Sequence, residues 1–211
     1  MSTDTPLRIW GRMSSINVRK VVWTVQELGL SAQRTDAGGH FGLVTEPEYR
    51  GKNPNGMVPL LEDGEVTLWE SNVIVRYLCA RHAAGTLYPE PLAQRFAAEM
   101  WMDWQQTTLN PAGRDAFVQL IRTPAEQRVD AAIARSFNET EPLLDLLDAE
   151  LARRPFLAGD SFTMADIPVA CEVHRWNGLP FDRTPRPHLD RWYQAVAERP
   201  GAVGVLDQPL S

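Results

Sequence analysis

Asn53 to Ser71 is the stretch whose residue types and order promise chemistry. Gly56 permits a tight turn before the apolar run that begins at Val58. Pro59 has no N–H and a fixed φ, which suits the first residue or the edge of a strand. A cis Val58–Pro59 bond would turn the N–H and C=O of Val58 outward, where an extended peptide can pair with them as an added strand. Glu62-Asp63-Gly64 reads as a hairpin turn. Glu70 and Ser71 precede a helical pattern at Val73, Ile74, Tyr77 and Leu78. Serine is a good N-cap, and a helix N-terminus attracts a carboxylate. The segment thus offers an edge to pair with and an anion site beyond it. Either half alone describes only a hairpin followed by a capped helix. A second stretch, Met13 to Val18, places the hydroxyls of Ser14 and Ser15 in a loop before another helical pattern.

These side chains need a scaffold, and the sequence predicts one. Leu7 to Trp10 reads as a strand. Val18, Val21, Val22, Val25 and Leu28 recur at helical spacing, and Gly29 ends the run. A strand follows at about 32–36, so strand, helix and strand imply a parallel pair with a crossover. Residues 37–52 form a long connection that holds His40. The hairpin and a helix to about His82 complete a βαβ–ββα order. Residues 83–91, with Gly85, Pro89 and Pro91, read as a linker. Beyond it only helices are expected, over 92–109, 125–152, from Thr163 to about 176, and over 187–198. Asn110-Pro111-Ala112-Gly113 should kink or interrupt the first of these. Pro142 should bend the second. Thr163 and Asp166 resemble an acidic capping box, with a role in folding. The predicted division is 1–83, a linker at 84–91, and an all-α unit over 92–211.

Composition narrows the function. The 211 residues carry 27 Asp and Glu against 21 Lys and Arg, a net charge of −6, which argues against nucleic acid as the main partner. No apolar run approaches a membrane span, and the N-terminus has no signal-peptide pattern, so a soluble cytoplasmic protein is expected. Cys79 and Cys171 form no Cys-x-x-Cys motif, which disfavours thioredoxin-type exchange; both lie in helical patterns and read as buried, inert thiols. No cluster has metal-ligand spacing, so no metal is expected. Gly38-Gly39 is too little for a phosphate loop.

From Arg8 to about Pro200 the chain resembles the cytosolic glutathione transferases of the bacterial, serine-based, theta- and phi-like kind. Val58-Pro59, the two strands about Asp63-Gly64, and Glu70-Ser71 at a helix start carry the likeness. The resemblance implies an α/β thioredoxin-like domain followed by an all-α bundle, with glutathione as co-substrate and a small electrophile as second substrate. It also implies a homodimer, with the first domain packed on the partner's helical domain. Val58 would pair with the cysteinyl backbone of glutathione, and Glu70 and Ser71 would hold its γ-glutamyl group. In the serine-type classes the catalytic serine lies six positions before a valine of the first helix. Val21 matches that valine, which makes Ser15 the expected thiolate donor. Ser14 is the alternative, and Asn17 could share the role or cap the helix. No tyrosine precedes Tyr49 and the loop has no cysteine, so tyrosine- and cysteine-type mechanisms are disfavoured.

His40 would contact the glycyl carboxylate, although Phe41 stands where the phi pattern has lysine; Lys52 is a second candidate. Met57 would add a backbone contact, and Asp103 of a partner subunit could approach the γ-glutamyl ammonium. Trp104, Trp176, Arg114 and Arg122 are the candidates for the electrophile pocket. In a helix the two arginines would lie about 80° apart, where they could fork onto a carboxylate. Against each stands an ordinary role: capping for Ser15 and Asn17, an exposed loop for His40, solvated surface for Asp103 and the arginines. The expected function is conjugation of the glutathione thiolate to an electrophile. A glutathione-dependent dehalogenase or isomerase, a non-catalytic binder of conjugates or apolar ligands, and an inactive interaction module are the alternatives.

Overall fold

The computed structural model describes residues 6–211. Strand β1 (Leu7–Trp10) leads through helix α1 (Ile16–Glu27) to β2 (Ala32–Thr35). β1 and β2 are parallel, with Leu7 opposite Ala32, so the helix supplies the crossover that parallel strands require. β3 (Leu60–Asp63) runs antiparallel to β1, and β4 (Val66–Trp69) antiparallel to β3, giving the order β2-β1-β3-β4. Helix α3 (Ser71–His82) lies against α1 on one face of this sheet. Ile9, Val21, Leu61, Ile74 and Leu78 fill the space between. This is the expected thioredoxin-like unit, and the Val58–Pro59 bond is cis.

Two local expectations need correction. The connection after β2 is not wholly irregular: it holds a 3-10 turn at Gly39–Phe41 and the short helix α2 (Pro47–Lys52). Pro47 stands in the first turn, where its missing N–H removes no bond. Six residues are too few to display a helical period. Ser71 is also not the N-cap of α3 but its first residue. Glu70 holds the cap position, in the left-handed region at φ 71°, and its side chain makes no capping bond.

The second unit is helical. Helix α4 (Leu92–Trp104), a π-helical turn at Gln105–Leu109, α5 (Asn110–Phe117) and a second π-helical turn at Val118–Arg122 form one path, with helical backbone angles at each junction. The expected break at Asn110-Pro111 is therefore a change of hydrogen-bonding frame. Pro111 sits in the first turn of α5, and the widened turn before it accommodates the missing N–H. Helix α6 (Asp130–Leu151) starts five residues later than expected, because Ala125–Gln127 forms a separate 3-10 turn; Pro142 lies inside α6. Helices α7 (Asp166–Asn177) and α8 (Pro187–Ala197) follow.

The paired cap at Thr163 and Asp166 is formed. The Thr163 N–H donates to Asp166 Oδ2 at 2.9 Å, and the Ala165 N–H donates to Thr163 Oγ1 at 3.3 Å. Asp166 Oδ1 also accepts from the Leu157 N–H at 3.1 Å and Trp192 Nε1 at 2.8 Å, tying α8 to the start of α7. Trp23, Val75 and Cys79 of the first unit pack in the same buried cluster as Leu147, Leu151 and Trp192 of the second. One apolar core thus fixes the two units against each other and holds open the groove between them.

Candidate functional site

That groove is a cleft of about 300 Å³ between the loops of the first unit and the helices of the second. Ser14, Ser15 and Asn17 line it at the start of α1, together with Met57 and Val58 before β3; Arg114, Phe117 and Arg122 face them from α5 and the turn after it.

Ser15 holds the N-cap position of α1 in an extended conformation, yet its side chain makes no capping hydrogen bond. Its carbonyl accepts from the N–H groups of Val18 and Arg19, both at 3.0 Å. The backbone therefore closes the first turn while the hydroxyl stays available to the cleft. The unpaired N–H groups and the positive end of the dipole of α1, a 12-residue helix, add to it there. Ser14 also lines the cleft, and its carbonyl accepts from Arg122 at 3.1 Å. Asn17 also lines the cleft, and its Oδ1 accepts from the Ser71 hydroxyl at 3.3 Å, linking α1 to α3.

The approach to β3 is braced from below. Met57 C=O accepts from the Tyr49 hydroxyl at 2.7 Å and from Asn53 Nδ2 at 2.8 Å. Gly56 is at φ 63°, a conformation that side-chain-bearing residues rarely adopt, so glycine suits this turn. Among the described residues neither the N–H nor the C=O of Val58 takes part in a hydrogen bond. An extended peptide laid across the cleft would find both groups unpaired.

Other expected contacts lie outside the lining. Ser71 is buried and connects with the cleft through its hydrogen bond to Asn17, and Glu70 is exposed. His40 is exposed with its ring centroid 3.9 Å from that of Phe41. Lys52 is held by Glu62 at 3.0 Å and Glu48 at 3.5 Å, and its bond to Glu62 raises its pKa. Asp103 pairs with Arg76. Trp104 packs edge-on to Trp101, and the buried Trp176 donates to Glu141 Oε1 at 3.0 Å, so both tryptophans belong to the helical core rather than to the cleft. Their spacing suits either place, and the packing of helices distant in sequence decides.

Arg114 and Arg122 do reach the cleft, and three more arginines join them: Arg12, Arg19 and Arg175. Arg12 lies over Gly38, where a Cβ would stand 2.7 Å from its guanidinium. Arg19 is buried and donates to the carbonyls of Met13 at 2.8 Å and Pro209 at 2.7 Å. Arg175 is buried against Glu172 and Asn110. Only Arg12 carried a signal in the sequence, since it shares a loop with Ser15; Arg19 and Arg175 sit within helices whose inward faces are set by packing. Among the described residues no Asp or Glu side chain lines the cleft. Burial, together with the guanidinium groups of Arg12, Arg175 and Arg114, lowers the pKa of Arg122. A chain of net charge −6 thus presents a positive cleft, which concentrates anions. Cys171 also lines it, but burial pushes its pKa up to about 12, so it is no nucleophile at neutral pH.

Known proteins share this architecture and are similar in sequence. The model of the glutathione S-transferase N-terminal domain matches residues 5–80, and that of the glutathione S-transferase C-terminal domain matches residues 130–195. The chain is 44% identical over 207 residues to glutathione S-transferase GstB of Escherichia coli strain K12, covering 97% of this chain and 100% of that relative. It is 32% identical over 205 residues to glutathione S-transferase 3 of Zea mays, covering 92% and 90%. The crystal structure of the theta class glutathione S-transferase from the citrus canker pathogen Xanthomonas axonopodis pv. citri, with glutathione bound, superposes with a TM-score of 0.94 at 41% identity, covering 98% of this chain and 100% of that one.

Proposed function

The chain belongs to the glutathione S-transferase family, and from that premise we propose how its cleft carries out the reaction. The protein is an enzyme, a glutathione transferase with glutathione as co-substrate. Glutathione lies extended along the first unit. Its cysteinyl N–H and C=O pair with Val58, and its γ-glutamyl group reaches Glu70 and Ser71, which Asn17 links to α1. The glycyl end runs past Met57 toward His40 and Lys52.

This pose puts the sulfur at the start of α1. A free thiol has a pKa of about 8.5, and lowering it by about 2 units requires roughly 2.7 kcal/mol in favour of the thiolate. The Ser15 hydroxyl donates to the sulfur, and the helix N-terminus adds its partial positive charge. The thiolate then attacks a carbon that bears a leaving group. A C–S bond forms as the bond to the leaving group breaks, and the leaving group departs with the electron pair. With an activated double bond the thiolate adds, and the far carbon takes a proton. Arg114 and Arg122 orient an electrophile that carries a carboxylate, which makes a small halocarboxylic acid the proposed substrate class and glutathione-dependent dehalogenation the accompanying outcome.

A homodimer is proposed as the working form. Leu92, Phe96 and Met100 follow one another at four-residue spacing on α4 and are 64%, 58% and 58% exposed, an apolar stripe suited to burial against a second copy. Among the described residues no helix is long and apolar enough to cross a membrane; the cytoplasm is the proposed location.

The available Ser15 hydroxyl at the N-terminus of α1 carries the mechanistic reading. Its test is the pH–rate profile. Ser15→Ala should move the acid limb toward higher pH and lower turnover, with glutathione affinity retained. If that profile is unchanged while Ser14→Ala or Asn17→Ala shifts it, the thiolate donor is another residue.

A further inference from the structure

Beside the cleft a buried ammonium is held by two amides, and the nearby carboxylate Glu172 is paired with Arg175. Lys20 of α1 is fully buried, and its ammonium donates to two neutral amides, Gln105 Oε1 at 2.8 Å and Gln106 Oε1 at 3.1 Å. Gln105 in turn donates to Glu172 Oε2 at 2.8 Å. The other oxygen of Glu172 pairs with Arg175, which lines the cleft. A chain of polar contacts therefore runs from α1 through the π-helical turn to α7. It holds the positive charges of Lys20 and Arg175 against the single negative charge of Glu172.

We propose that Lys20 is a positioning residue for the reaction: its buried charge, held by amides instead of a carboxylate, favours negative charge in the cleft and so keeps bound glutathione as the thiolate. The proposal rests on the reading of the cleft as the glutathione site. A buried ammonium ordinarily has a carboxylate partner, which would cancel its field. Here the partners are dipoles, so the field persists. The groups that act on Lys20 are Glu172, Cys171 and Arg175 on α7 and Glu70 before α3. Of these, Glu172 is shared with Arg175, the Cys171 thiol is neutral at pH 7, and Glu70 is exposed and therefore screened. Arg19, the preceding residue on α1, is bonded to carbonyls and adds to the excess. Burial lowers the pKa of Lys20 to about 8, which leaves it protonated at neutral pH. Lys20 lies five residues along α1 from Ser15, about 7.5 Å of helix rise and about 140° around the axis, which puts its ammonium roughly 10–15 Å from the sulfur position. A unit charge at such a range, in a medium of effective dielectric about 20, shifts a neighbouring titration on the order of one pH unit.

The experiment measures the ultraviolet absorbance of bound thiolate across pH, with saturating glutathione, for the wild type, Lys20→Met and Gln106→Glu. The first variant removes the charge. The second gives it a carboxylate and keeps the lysine. Both should raise the apparent pKa of the bound thiol by about one unit, so that about tenfold less thiolate is present well below that pKa. Glutathione affinity below the thiol pKa should stay within about twofold, since the protonated thiol feels little of the field. Titrations that match the wild type in both variants would overturn the proposal and leave Lys20 a structural residue. If Lys20→Met fails to fold, Gln106→Glu decides alone. A wild type that shows no bound thiolate at any pH would instead remove the glutathione reading, and this inference with it.

Discussion

Ser15 and Arg122 face the same cleft with different freedom. The Ser15 side chain makes no capping bond, whereas Arg122 donates to the carbonyls of Ser14 at 3.1 Å and Ser211 at 2.9 Å. An arriving carboxylate would compete with those acceptors for the guanidinium, to which it can fork two hydrogen bonds. Arg114→Ala and Arg122→Ala should each lower kcat/KM for a small halocarboxylic acid by about tenfold or more. A neutral aryl halide of similar reactivity should change by less than about twofold, because it offers no anion to hold. Equal losses on both substrates, or none on either, would return these arginines to an ordinary surface role. Their eight-residue spacing made the pair legible in the sequence. Arg175 was not, because its place in the cleft depends on Glu172 and Asn110, and Asn110 lies on another helix. Trp104 and Trp176 mislead for the matching reason: aromatic residues at helical spacing mark a buried face without saying whether a ligand or another helix covers it.

At the start of α7 one side chain, Asp166, accepts hydrogen bonds from Leu157, Thr163 and Trp192. Asp166 is fully buried, and burial pushes its pKa up to about 6 against the pull of its hydrogen-bond donors. Asp166→Asn keeps the shape but turns an amide N–H₂ toward N–H donors that need an acceptor. Denaturant unfolding should show a loss of about 2–3 kcal/mol. The pH dependence has a definite sign. Between about pH 4 and 6 the folded chain holds this proton more tightly than the unfolded chain does, so the carboxyl's contribution weakens as pH rises through that window. The stability difference between wild type and variant should narrow from pH 4 to 6, and a constant difference would contradict the assignment. The cap was readable because Thr163 and Asp166 are three residues apart and satisfy each other locally. The π-helical turn at Gln105–Leu109 was not. Hydrophobic period locates a helix but not its hydrogen-bond frame, and only that frame brings Gln105 inward to Lys20 and Glu172.

At the scale of the molecule, strand and helix periods sufficed for the order of the two units, and the common apolar core explains why they hold one relative placement. The cleft itself was visible only in its lower wall. Val58 and Ser15 belong to short motifs, whereas the upper wall combines α5, α7 and the segment at 210–211, which meet only after folding. The stripe on α4 should also act at this scale. Phe96→Glu is expected to shift a homodimer toward monomer in sedimentation at micromolar concentration while leaving the thermal transition of the monomer cooperative. A wild-type chain that sediments as a monomer at that concentration would exclude the dimer outright. A crystal structure of the chain with glutathione bound decides whether this cleft holds the tripeptide with its sulfur on Ser15. The expected result is the cysteinyl backbone paired with Val58 and the sulfur within about 3.5 Å of Ser15 Oγ, at the N-terminus of α1. A tripeptide bound elsewhere, or one whose sulfur lies on Ser14, Asn17 or no hydroxyl at all, would contradict it.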